Sequence, residues 1–193
     1  ESFEERIGYK YKDIKLLETA LTHSSFANEM KPKGQHVNFN ERLEFLGDSV
    51  LSIIVSDYLF RRYPELPEGD LTRIRAGVVC EKTLGKIAHS LELGKNMRLG
   101  RGEELGNGRE RMSILADAFE ALLASIYLDS GSKEAVVDFL MPLMKPEIRL
   151  FVENGSNKDY KTLLQQIVQQ TGIVLLGQVP AQQLLAHGAG QCG

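Results

Sequence analysis

The chain is poor in cysteine, in long apolar runs and in excess charge, and each shortage narrows what it can be. Its 193 residues contain two cysteines, Cys80 and Cys192. They match no zinc-ligand spacing and suggest a reducing compartment without disulfides. No apolar run reaches the ~18 residues that a bilayer span requires. The amino-terminal ESFEERIGYK has no apolar signal core. A soluble, cytoplasmic protein without membrane association is expected. Net charge is only −3, so a polyanionic ligand would need local basic patches or metal ions to overcome the repulsion. Alternation with period two is nearly absent before residue 170, and no solenoid period recurs. Hydrophobic residues nevertheless make up 42% of the chain, enough for a real core.

Helical spacing dominates what is present. Residues 13–28 form one amphipathic segment that Asp13 can cap, followed by a polar loop over 29–38. A long helix is expected from Asn40, as N-cap, to Tyr63, with Pro64 and Pro67 ending it. Further helices are expected at 70–79, 81–93, 111–128 and 132–153, with a glycine-rich loop at 100–110. The fold class is therefore all α over 1–153. Residues 154–158 read as a linker, and 159–193 as a separate segment. After Lys161 no Asp, Glu, Lys or Arg occurs.

The chemistry lies in NERLEFLGDSVL, residues 40–51, and ILADAFEALLASIYL, residues 114–128. Glu41, Glu44 and Asp48 fall within roughly 60° on a helical wheel, a single stripe flanked by Phe45 and Leu51. Asp117 and Glu120 stand three apart on one face, surrounded by Ala116, Ala118, Ala121 and Ala124. Solvated faces, or arginine partners such as Arg42 and Arg73, would explain these acids without chemistry. A divalent cation answers the pattern more fully, because unpaired ionised carboxylates are costly to bury. Oxygen-only ligands favour Mg²⁺, with Mn²⁺ as a substitute, over zinc or copper. Di-iron chemistry in a helical bundle wants Glu-x-x-His motifs. The residues three before His23, His36, His89 and His187 are Ala20, Lys33, Lys86 and Leu184, which disfavours that chemistry. His23, Ser24 and Ser25 have no matching acid in the sequence and read as structural. GRGEELGNG lacks the Gly-Lys-Ser/Thr ending of a phosphate-cradling loop.

ERLEFLGDSVL closely resembles the signature segment of ribonuclease III, the double-stranded-RNA endonuclease family. YPELPEGDLTRIRAGVV and GEELGNGRERMSILADAFEALLASIYLDSG resemble that family's later blocks, in the same order. The resemblance covers roughly residues 1–150 and implies an all-α, bundle-like endonuclease domain that forms a homodimer. By that resemblance Glu44, Asp48, Asp117 and Glu120 would be the magnesium ligands, with Asp48 and Glu120 the foremost catalytic pair. Glu41 and Glu68 would be secondary acids near the scissile strands or the dimer edge. Phe45 would pack into a socket on the partner subunit, unless it is ordinary intrachain core. The implied reaction is Mg²⁺-dependent hydrolysis of a phosphodiester on each strand of double-stranded RNA. Products would carry 5′-phosphate and 3′-hydroxyl ends with a short 3′ overhang. The implied role is processing of ribosomal and other structured RNA precursors, with no organic cofactor and no covalent nucleophile. NKDYKTLLQQIVQQTG, 157–172, resembles the opening helix of a double-stranded-RNA-binding domain, in which Gln165, Gln166 and Gln169 would face the minor groove. The strands and basic second helix of such an α+β module are missing, so the carboxy-terminal segment reads as truncated or divergent. A binding protein without catalysis is the rival reading.

Overall fold

The computed structural model of the protein describes the backbone of residues 2–171 and the side chains of residues 2–154. Among the described residues, ten α-helices run in order: α1 Phe3–Ile7, α2 Ile14–Ala20, α3 Ser24–Met30, α4 Glu41–Arg62, α5 Glu68–Val78, α6 Glu81–Ser90, α7 Leu93–Asn96, α8 Arg101–Leu105, α9 Met112–Ser130 and α10 Lys133–Thr171. Short 3₁₀ turns occupy Lys31–Lys33 and Gly108–Glu110. Among the described residues there is no β-strand, only an isolated parallel bridge between Thr22 and Arg98. The expected all-α class holds for this part of the chain. The chain divides after Val152 into two units.

The first unit is built around α9. This helix is apolar nearly all round, and Leu115, Phe119, Leu122, Leu123 and Ile126 are fully buried. Such a helix is stable only when covered on several sides. Helices α2, α4 and α6 cover it. Each large side chain withdrawn from water stabilises the fold by about 1.5–3 kcal/mol. Gly131, at φ +67°, ends the helix in the left-handed conformation and returns its N–H to Tyr127 O. Gly47 lets α4 approach: a Cβ built there would lie 1.9 Å from the Glu120 carbonyl oxygen. The two acid-bearing helices therefore meet backbone to backbone.

Helix α10 contains Pro142 and Pro146. A proline inside a helix costs about 3 kcal/mol through its missing N–H and its steric clash. Val136, Leu140, Met144 and Ile148, spaced four apart and all fully buried, offset that cost by anchoring one face in the core.

Four sequence expectations need correction. The helix expected over 13–28 is two helices, because Leu21–His23 turns aside to bridge Arg98: Arg98 N donates to Leu21 O at 2.8 Å and His23 N to Arg98 O at 3.0 Å. The 100–110 loop contains α8 and a 3₁₀ turn. Asn40 is not a side-chain N-cap. Its backbone is already helical, its side chain is 2% exposed, and Thr22 O accepts its N–H at 2.9 Å. The 154–158 stretch expected to be a linker continues α10; it holds no proline, so every residue there can extend the hydrogen-bond ladder. The side chains of Gln165, Gln166 and Gln169, and residues 172–193 of the expected α+β segment, lie outside the described residues.

Candidate active site

Five of the six singled-out acids come from the two facing helices. Glu41, Glu44 and Asp48 follow one another up the first two turns of α4, and Asp117 and Glu120 lie on α9. Glu120 sits at the close approach, since its carbonyl is what a side chain at position 47 would strike. The acids share an electrostatic field. Burial pushes the Glu120 carboxyl up from 4.5 to about 7, and the charges of Asp48, Glu44 and Asp117 push the same way. Burial raises Glu44, helped by Asp117 and Glu41. Burial also raises Asp117, reinforced by Glu81 and opposed by His23. The helices thus bring Glu44, Asp48, Asp117 and Glu120 into one neighbourhood, with Glu41 at its edge.

Glu68 is not part of that neighbourhood. It is exposed at the start of α5 and accepts a hydrogen bond from Thr72 Oγ1 at 2.8 Å. Two further residues enter, one that sequence reasoning passed over and one that it read as structural. Glu81 begins α6 and acts on Asp117, while His23, read as structural, lies close enough to act on it as well. The Glu81 signal was present as an acid at a helix start, but that placement is ordinary and marks no site.

The arginine alternative finds no support. Among the described residues, none of the four central carboxylates has a hydrogen bond or an ion pair. Arg73 binds Asp70 at 3.0 Å, Arg75 donates to Ser56 at 3.0 Å and Arg111 pairs with Glu103 at 3.0 Å. Arg109 spans Glu104 and the carbonyls of Gly94 and Met97.

The donor set fits a hard divalent cation: oxygen atoms only, mutually repelling, with no arginine or lysine ion-paired to them among the described residues. Among the described residues, no three His, Cys, Asp or Glu side chains are gathered closely enough to hold a metal ion as they stand.

Phe45, one position beyond Glu44, is 79% exposed, which removes the reading of it as intrachain core. Ile53 and Phe60, at 57% and 72%, fall within roughly 80° of it around α4. An apolar stripe therefore runs along the outer face of this helix, beside the acids. No helix among the described residues is long and apolar enough to cross a membrane.

Comparison with known proteins gives a consistent picture. A family described as Ribonuclease-III-like matches residues 13–146. Ribonuclease 3 of Pelotomaculum thermopropionicum is 51% identical over 170 residues, 86% of this chain and 68% of that one. Ribonuclease 3 of Clostridium tetani is 47% identical over 174 residues, 90% and 72% of the respective chains. The nuclease domain of ribonuclease III from Campylobacter jejuni, described for flexibility in a region involved in dimer formation, superposes with a TM-score of 0.68. It is 41% identical over 75% of this chain and 94% of that one.

Proposed function

Because the chain belongs to the ribonuclease III family, and with it to the endonucleases of double-stranded RNA, we propose that Glu44, Asp48, Asp117 and Glu120 form its cutting site. The supporting observation is Glu120, raised to about 7 at the meeting point of α4 and α9 by burial and by three neighbouring carboxylates. A group held in that state favours positive charge beside it, and perturbed groups of this kind gather where chemistry is done.

Glu44 and Asp48 from one helix and Asp117 and Glu120 from the other are the ligands of Mg²⁺, or of Mn²⁺ in its place. When bound, the cation supplies Lewis acidity, making water a better nucleophile and neutralising charge on the departing 3′ oxygen. The chain's own contribution is geometric. The contact at Gly47 fixes the separation of the two ligand pairs, and holding reactants in line lowers the barrier by pre-paid entropy. Asp48 and Glu120 carry most of the chemistry; Glu41 and Glu68 line the approach of the strands. Cleavage leaves 5′-phosphate and 3′-hydroxyl ends.

The apolar stripe of Phe45, Ile53 and Phe60 seats a second copy of the chain. Two sites in a homodimer cut both strands with a short 3′ overhang. The substrates are ribosomal and other structured RNA precursors, and the setting is the cytoplasm. No organic cofactor takes part. Residues 1–153 form the catalytic domain. The segment 159–193, joined through 154–158, is a partial RNA-binding module to which Gln165, Gln166 and Gln169 contribute contacts.

The test is cleavage of a long RNA duplex with Mg²⁺ by the wild type, Glu120→Gln and Asp48→Asn. Cutting by the wild type and its loss in both variants, with duplex binding retained, is expected. Binding without cutting by the wild type would favour the rival binding module. Undiminished cutting by Glu120→Gln would remove that residue from the site.

A further inference from the structure

Many cations of the first unit are already paired with acids. Lys95 binds Glu92, Lys86 binds Glu147, Arg61 binds Asp57, Arg109 binds Glu104 and Arg111 binds Glu103. Arg98 differs. Among the described residues no carboxylate pairs with it, and none of its side-chain N–H groups has a hydrogen-bond partner. Its guanidinium carbon instead lies 4.4 Å from the centre of the Phe26 ring, the closest of three such cation–ring contacts among the described residues. The ring attracts the charge but occupies none of the five N–H donors. Arg98 is exposed, so those donors are open to a ligand.

The backbone holds this cation in place. Arg98 N donates to Leu21 O at 2.8 Å, and Arg98 O accepts His23 N at 3.0 Å. Met97 and Leu99, on either side, are buried. Phe26 is tied to the same turn, its N–H donating to His23 O at 3.1 Å. That turn also holds the start of α4: Thr22 O accepts Asn40 N at 2.9 Å, and Glu41 follows Asn40. Platform, cation and the first of the acids are therefore fixed to one short stretch, residues 21–26. A free arginine loses much rotamer freedom on binding; one already stacked and clamped loses less.

Double-stranded RNA offers what such a group takes. Phosphate oxygens match the guanidinium fork two at a time. The net charge of −3 gives the chain no general attraction for a polyanion, so individual cations must supply it. We propose that Arg98, seated on Phe26, anchors a backbone phosphate of the duplex and holds that strand at a fixed offset from the acid-bearing start of α4. The inference rests on the double-stranded-RNA reading above and adds a contact outside the acid cluster.

The test is duplex-RNA binding as a function of salt, in a Glu120→Gln parent, which is expected to bind without cutting. Adding Arg98→Gln should weaken binding by roughly 10-fold and lower the slope of log affinity against log salt by about 1. Two duplexes of unrelated sequence should lose equally, because a phosphate contact reads no bases. Arg98→Lys should keep the slope of the parent and lose part of the affinity, since the charge remains without the fork. Phe26→Leu should likewise keep the slope and weaken binding less than Arg98→Gln does. Lys86→Gln removes the same charge from a paired cation and should change neither quantity. In the otherwise wild-type protein, Arg98→Gln should raise KM for duplex RNA and leave kcat unchanged. An unchanged slope in Arg98→Gln overturns the inference, as does an equal loss in Lys86→Gln, which would make the effect one of overall charge. If Arg98→Gln melts lower than the parent, Arg98→Lys decides: a slope not restored to that of the parent also overturns it. A parent that binds no duplex RNA at any salt concentration overturns the duplex reading and the inference together.

Discussion

Gly47→Ala is the most searching perturbation of the proposed active site, because it replaces none of the proposed ligands. The added Cβ would lie 1.9 Å from the Glu120 carbonyl oxygen, 2.4 Å from its carbonyl carbon and 3.1 Å from its Cα. Ordinary contact is near 3.5 Å, so the helices must separate by about 1.5 Å or slide. All three atoms are backbone, and no side chain can rotate out of the way. Overpacking a core costs typically about 1–3 kcal/mol; alanine in a helix returns up to about 1 kcal/mol through propensity. A net loss near 2 kcal/mol is expected, toward the upper end of overpacking because nothing soft can yield. For a chain of this size that lowers the melting temperature by roughly 4–8 °C. Displacing one ligand pair by about 1 Å should cost on the order of 100-fold in cleavage rate. Gly69→Ala is the control, since nothing lies within 4 Å of a Cβ there. Thermal unfolding and duplex-RNA cleavage under excess substrate measure both effects. Wild-type melting and wild-type cleavage by Gly47→Ala would refute the claim that this contact sets the spacing of the acids.

Other perturbations test separate links. Glu120 is raised in the folded state, so its contribution to metal-free stability is full below about 4.5 and lost as pH rises through about 7. The chelated protein should therefore melt lower at pH 8 than at pH 5.5, with a shallower decline in Glu120→Gln; an unchanged slope would contradict the assignment. Asp129 accepts from Tyr9 Oη at 2.7 Å and from the amides of Lys12 and Asp13 at 3.0 and 2.8 Å. Partial burial works against its ionisation, but these donors hold its carboxyl below the usual range. That stability is present at neutral pH and lost as pH falls through the lowered value. Asp129→Asn should cost about 1–3 kcal/mol at pH 7, measured by denaturant unfolding, and less at pH 3. Phe45→Asp should shift the chain toward monomer in sedimentation while leaving the secondary structure intact by circular dichroism; an unaltered dimer would remove Phe45 from the interface.

The long helices were legible because their patterns are strong. Helix α4 and helix α9 begin and end within about two residues of expectation, a normal margin for boundaries. Their acids could be placed on shared faces by counting alone. What the sequence hid was tertiary in origin. No glycine or proline marks the break at Leu21–His23; the chain turns there to pair with Arg98, far along the sequence. Asn40 has the composition of a cap, but burial beside Thr22 overrides its propensity. Helix α1 was missed although its signal was present, a capping box of Ser2 and Glu5 followed by Gly8 at φ +65°.

Helices α4 and α9 are at once the walls of the acid cluster and the middle of the hydrophobic interior. A ligand that ties them together is therefore bound by the whole fold and not by a detachable lobe. Its binding energy should be felt as slower hydrogen exchange throughout the interior, in the manner of mass-action stabilisation. By the same token, a fragment ending before Met112 would inherit half of the cluster and an uncovered apolar face. The enzyme is thus expected to resist division into separately folding halves, and chelation and unfolding should prove to be one coupled event.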